Sequence, residues 1–168
     1  MSSVAIAFTG PSNSGKTTLI VKLSNYLKDR YKIAIVKHDP KDKGIFDVDG
    51  KDSDKFTKTG AEVIVTSPKR TTFFSNQEKS IDEIIELFSP FDILFVEGLK
   101  TLPLPRLGIF RGKLIESYFE HCLAIAIDES IDINDYKIPE HLEVLDLNNT
   151  EMVAEWILKN AKKIEVKR

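Results

Sequence analysis

The chain has 168 residues, 42% of them apolar and 30% charged, with 24 Lys and Arg against 26 Asp and Glu and a formal net charge of −2. That length suits one globular domain, and the balanced charge argues against a dedicated nucleic-acid binder, which carries a basic excess. One cysteine, Cys122, excludes an internal disulfide and a multi-cysteine zinc site. No apolar run approaches the roughly 20 residues needed to cross a bilayer, and the first ten residues lack the pattern of a secretion signal. The expectation is a cytoplasmic single domain over 1–168, with neither nucleic acid nor membrane as partner.

In chain order, Val4–Thr9 is a short apolar run followed by Gly10-Pro11, the pattern of a buried strand ending in a loop. Lys16 to about Arg30 is helical, with Leu19, Ile20, Leu23 and Leu27 on one stripe. Ile33–Lys37 reads as a second buried strand, 38–51 as a polar loop, and Asp52–Thr59 as a short helix stopped by Gly60. Glu62–Thr66 and Thr71–Phe74 read as the strands of a hairpin. Ser80 and Glu83 form a capping box for a helix that buries Ile81, Ile84, Ile85 and Phe88. Ile93–Val96, Leu123–Ile127 and Glu143–Leu147 follow as buried strands. The proline-containing stretch between the first two of these, residues 102–112, shows no helical pattern. A last helix begins near Asn149-Thr150, turns Val153, Trp156, Ile157, Ala161 and Ile164 inward, and ends on Lys162-Lys163.

Apolar strands alternating with amphipathic helices predict an α/β fold, a mostly parallel central sheet with helices on both faces. Ligands of such sheets bind at the carboxyl ends of the strands. Residues after Thr9, Lys37, Val96 and Ile127 are therefore expected to converge on one crevice.

Residues 10–17, GPSNSGKT, match G-x-x-x-x-G-K-S/T in full, directly after a strand and at the start of a helix. Glycines at positions 10 and 15 let the backbone wrap a phosphate, and successive N–H groups form an anion nest. The helix N-terminus adds positive field. Lys16 supplies a point charge to the β- and γ-phosphates, the Thr17 hydroxyl is a Mg²⁺ ligand, and Thr18 is placed for the α-phosphate. Such a nucleotide needs a carboxylate near its metal at the end of an adjacent strand. Glu97 stands there, to orient water or hold a metal-bound water, whereas Asp92 lies at the strand's other end. Asp39 is a second candidate, as a metal or catalytic carboxylate or as the opener of an Asp-Pro turn. His38 is either part of the site or a hydrogen-bonding loop residue. Asp47-Val48-Asp49-Gly50 is a weak D-x-x-G match; beyond it Lys51 is a phosphate candidate and Asp52 or Ser53 a helix cap. No Asn-Lys-x-Asp guanine motif occurs, and Asp128 is either a base-reading carboxylate or a solvated loop acid.

Together these residues resemble the molybdopterin-guanine dinucleotide biosynthesis protein B family (MobB). The segments that carry the resemblance are GPSNSGKTTLI (10–20), IVKHD (35–39), GKDS (50–53), Thr59-Gly60-Ala61 and Val96-Glu97-Gly98-Leu99-Lys100. The resemblance implies a three-layer P-loop protein that binds GTP with Mg²⁺, hydrolyses it weakly, forms a homodimer, and assists attachment of GMP to molybdopterin. The nucleotidyl transfer itself would belong to a partner, molybdopterin guanylyltransferase. It further implies that Gly10, Asn13, Ser14, Gly15, Lys16, Thr17 and Thr18 contact nucleotide, and that His38, Asp39, Lys51, Asp52, Glu97 and Lys100 line the crevice. Family members often carry further histidines after the Lys-His pair, where this chain reads Asp39-Pro40-Lys41-Asp42. Lys37, Lys51, Lys100, Arg106 and Arg111 are expected as a basic rim for a polyanion. The alternative is a small-molecule kinase using ATP, with Arg106 or Arg111 as lid arginine.

Overall fold

The protein was analysed as a computed structural model that describes residues 3–88 and 90–166. Its chain divides into two compact units, one made of residues up to His38 together with those from Phe88 onward, the other of Asp39–Leu87. Among the described residues no helix is long and apolar enough to cross a membrane.

The larger unit is built on strand β1 (Ser3–Thr9), whose alternate residues Ile6 and Phe8 pack under helix α1 (Lys16–Leu27). Strand β2 (Ile33–Lys37) follows. After the smaller unit come β5 (Ile93–Glu97), β6 (Arg106–Phe110), β7 (Ala124–Ile127) and β8 (Glu143–Asp146), then helix α4 (Thr150–Asn160) and strand β9 (Lys162–Ile164). The strand order is β2-β5-β1-β6-β7-β8, and every neighbouring pair on this path is parallel. β1 is central, with β5 along one edge. Its other edge is shared by β9, antiparallel over Ser3–Ala5, and β6, parallel over Ala7–Thr9.

Leu19, Ile20, Leu23 and Leu27 of α1 and Val153, Ala154, Trp156 and Ile157 of α4 close one face of the sheet. The Asn149 side chain caps α4 by accepting from Met152 N, and the Trp156 indole donates to Glu143 at 2.8 Å. The other face, over β6 and β7, is closed by a 3-10 helix (Glu116–His121): Phe110, Phe119, Cys122 and Ile125 share a second core. Burial raises the Cys122 thiol to about 11.

The smaller unit holds α2 (Asp52–Thr57), the hairpin of β3 (Val63–Thr66) and β4 (Thr71–Phe74), and α3 (Ile81–Glu86). The Ser80–Glu83 capping box is complete in both directions, and of the expected apolar face Ile85 is buried while Ile81, Ile84 and Phe88 are half-buried. Polar ties are frequent: Lys58 bridges Asp49 and Asp54, and Lys79 pairs with Glu62.

Three readings of the sequence are corrected here. The last helix stops at Asn160, and Lys162–Ile164 form β9 rather than a basic helical end, because β1 has an open edge at Ser3–Ala5 for them to pair with. The proline-containing stretch contains strand β6, all five residues of which are buried. Arg106 is not part of a basic rim: it is 2% exposed, and its guanidinium donates to the carbonyls of Gly98, Leu99, Lys100 and Leu102.

Candidate functional site

The loop between β1 and α1 follows from two backbone choices. Gly10 (φ 141°) lies so close to β6 that a Cβ there would come within 2.2 Å of the Ile109 carbonyl oxygen. Asn13 and Gly15 adopt left-handed φ values of 62° and 94°, alternating the chain direction as an anion nest does. Ser14 is buried and its hydroxyl finds no hydrogen-bond partner among the described residues. The Lys16 ammonium donates to the carbonyls of Gly10 (3.0 Å) and Pro11 (2.6 Å) of its own loop. Thr17 and Thr18 are exposed in the first turn of α1.

A cleft of about 480 Å³ opens over this loop, lined by Ser12, Asn13, Gly15, Lys16, Thr17 and Thr18 and by Lys37, Glu97 and Arg111. Register explains the pair at its far wall. Lys37 and Glu97 stand opposite each other at the carboxyl ends of β2 and β5, so both carboxylate oxygens lie 3.3 Å from the ammonium. The Lys16 pKa is held below its ordinary value, first by burial, then by the charges of Lys37 and Lys100; Glu97 opposes the shift. Three ammonium groups thus act on one another with Glu97 as their carboxylate, an arrangement that leaves room for anionic charge.

Arg111 closes the cleft from β6. It lies against Gly15, where a Cβ would stand 3.4 Å from its Nε, and that Nε pairs with Asp128 at 3.0 Å. The Ser130 hydroxyl donates a short hydrogen bond to Asp128 and accepts from Gly112 N, so the Asp128 carboxyl sits below its usual range, chiefly through Ser130. Asp128 also borders a cleft of about 410 Å³ at the carboxyl ends of β7 and β8.

The loop after β5 carries Lys100, whose ammonium sits 4.6 Å from the Tyr118 ring centroid. Exposed His38 donates its backbone N–H to the Glu97 carbonyl, and a Cβ on Gly98 would press on its side chain at 3.1 Å. Asp92 accepts from Lys32 N at the strand's opposite end. The remaining expected site residues belong to the smaller unit. There the Asp39 carboxylate accepts from the backbone N–H groups of Lys41, Lys43 and Gly44, the geometry of a turn opener. Lys51 is the N-cap residue of α2, and Asp52, its first residue, pairs with Lys55. Lys37 and Arg111 stand in the cleft as members of the expected basic rim, but neither carboxylate partner was legible in the sequence, because β6 and the β2–β5 register are tertiary facts.

The family model for molybdopterin guanine dinucleotide synthesis protein B (MobB) matches residues 5–128. This chain belongs to the MobB family. A curated relative from Haemophilus influenzae, described as a molybdopterin-guanine dinucleotide biosynthesis adapter protein, is 29% identical across 90% of this chain and 86% of its own. A putative adapter protein of the same description from Methanocaldococcus jannaschii is 30% identical over 77% of this chain but 57% of its own length. Among solved structures, molybdopterin-guanine biosynthesis protein B aligns with a TM-score of 0.70 and 25% identity over 93% of this chain and 99% of that one. Bacillus subtilis MobB aligns at 0.72 with 20% identity over 95% and 98%, a likeness of fold. The matched span covers every strand from β1 to β7, and hence the whole 480 Å³ cleft.

Proposed function

We propose that this MobB-family chain is a GTP-binding adapter of molybdopterin guanine dinucleotide synthesis, acting beside a guanylyltransferase that attaches GMP to molybdopterin. The loop at 10–17 carries the proposal: the motif is complete and the left-handed residues at 13 and 15 form its nest. Around it the ammonium groups of Lys16, Lys37 and Lys100 meet Glu97, and Arg111 pairs with Asp128. The residues fit a nucleotide with Mg²⁺, because the buried Ser14 hydroxyl lacks a partner among the described residues and the Lys16 ammonium donates to two carbonyls of its own loop.

In this reading Gly10, Asn13, Ser14, Gly15, Lys16 and Thr18 hold phosphates, with Lys100 as a further cation. Thr17 and Glu97 would hold the metal, which would supply charge neutralisation on the phosphate oxygens when bound. Lys16 exchanges carbonyl oxygens for phosphate oxygens, which accept from an ammonium more strongly. Glu97, half-buried between Lys37 and the loop, orients a water and takes its proton. His38 and Asp52 flank these groups in sequence, and Asp128 faces the base. The guanine preference rests on the description of the relatives. Slow hydrolysis, a homodimer and a cytoplasmic setting belong to the same proposal.

Calorimetric titration of the full chain with GTP, ATP and molybdopterin, each with Mg²⁺, tests it. The expected result is GTP binding at least about tenfold tighter than ATP, a difference of about 1.4 kcal/mol, together with molybdopterin binding. ATP preference with phosphate transfer to a small metabolite would replace the adapter by a kinase.

A further inference from the structure

Beside the nucleotide cleft lies a smaller pocket of about 100 Å³, lined by Thr9, Lys100, Arg106, Ser117, Tyr118 and His121. Its lining contains two permanent cations, three hydroxyls and an imidazole, and no carboxylate. Arg106 is almost wholly buried, and its guanidinium meets main-chain carbonyls of residues 98–102. Those contacts hold the loop bearing Lys100 while leaving the positive charge uncompensated by any acid. Lys100 is in no ion pair among the described residues; its ammonium rests on the face of Tyr118, a ring packed edge-on against Phe110. The Thr9 and Ser117 hydroxyls make no hydrogen bond among the described residues and line the pocket, where each can turn to donate to an anion.

We propose that this pocket is a second oxyanion site, separate from the 10–17 loop, that takes the phosphate monoester of the second ligand. A phosphate monoester presents three strong acceptor oxygens, which matches an ammonium and two hydroxyls around one small space. The pocket admits a phosphoryl group but not a nucleotide, so the organic part of the ligand projects past Tyr118. Thr9 directly precedes Gly10 in β1, which sets the site one residue from the nucleotide loop. That molybdopterin supplies the monoester rests on the proposed function; the oxyanion chemistry rests on these residues alone.

The test uses phenyl phosphate and inorganic phosphate as probes, titrated into the full chain by calorimetry, with GTP run in parallel. The expected Kd for phenyl phosphate is about 1 mM, the range of a single charge-assisted group, and at least about threefold tighter than for inorganic phosphate. Lys16→Ala is expected to lose GTP but hold phenyl phosphate within about twofold, whereas Lys100→Met weakens phenyl phosphate about tenfold. Ser117→Ala, on an exposed position, is expected to weaken it about threefold and stands in if Lys100→Met does not fold. Absence of phenyl phosphate binding overturns the site. So does its loss in Lys16→Ala with indifference to Lys100→Met, which would place the probe on the 10–17 loop. Inorganic phosphate binding as tightly overturns the monoester assignment. Failure of GTP alone, with the Lys100 dependence intact, sinks the nucleotide reading and leaves this site standing.

Discussion

Glu97 is 14% exposed and Lys37 is 62% exposed, so their pairing is a half-open salt bridge worth no more than about 1 kcal/mol. A contact that weak is easily traded, which suits a carboxylate meant to meet water when the cleft is filled. Glu97→Gln keeps the shape and removes the base. The expected outcome is a fall in GTP hydrolysis of about 100-fold, with GTP affinity changed by less than about threefold, read by phosphate release and calorimetry. Equal losses in both would make Glu97 a structural partner of Lys37. At this scale the turn geometry of the 10–17 loop was legible, because its residues are consecutive and its shape is carried by the backbone. Glu97 was legible from its place at the end of an apolar run. Lys37 and Arg111 were expected on the rim and line the cleft, but their carboxylate partners were not legible, because pairing depends on which strands become neighbours. Arg106 misled for the opposite reason: an arginine among loop residues looks solvated until the carbonyls it serves are known.

Strand β6 shows what element-scale reading loses. Its sequence, RLGIF, sits between prolines and Gly112, and an internal glycine lowers strand propensity. The glycine is there for space. A Cβ on Gly108 would meet the Phe110 ring at 2.8 Å, Cys122 Sγ at 3.1 Å and Ile125 at 3.3 Å, all in or against the second core. Gly108→Val is therefore expected to destabilise the chain by about 1–3 kcal/mol, measured by urea unfolding at unchanged m-value. A variant as stable as the parent would mean that the core beneath β6 yields freely. The helices α1, α3 and α4 were legible because periodicity and caps are local. Strand β9 was not: Ala161 and Ile164 continue the apolar period of α4, and only an open edge on β1 recruits residues 162–164 into the sheet.

For the whole molecule, hydrogen-bonded carboxyls are spread over both units. Hydrogen bonds hold Asp54, Glu62 and Glu83 of the smaller unit below their ordinary values, chiefly through Lys58, Lys79 and Ser80 respectively. In the larger unit Asp128 is held down in the same way, chiefly by Ser130. A depressed carboxyl takes up its proton at higher pH in the unfolded chain than in the folded one. Its contribution is thus complete above the ordinary values of 3.8 for Asp and 4.5 for Glu, and is lost as pH falls below them. Glu62 and Glu83 are exposed, so their share of the loss is modest, while Asp54 and Asp128 keep only 14% and 11% of their side chains exposed. Protection of amides in residues 39–87 against hydrogen exchange, measured relative to the intrinsic rate at each pH, is expected to fall as pH drops from about 5 to about 3.5, before protection in the central sheet does. Simultaneous loss of protection would show that the units melt as one. The α/β class was legible from alternating runs, but the separate compactness of 39–87 was not, since nothing in its composition marks a boundary. The pairing of β9 with β1 also bears on how the protein is made. The strand that leads into the 10–17 loop is made long before residues 162–164, so part of its edge stays open until β9 has emerged. The larger unit therefore closes its sheet through a contact between segments far apart in sequence, a late step in its folding.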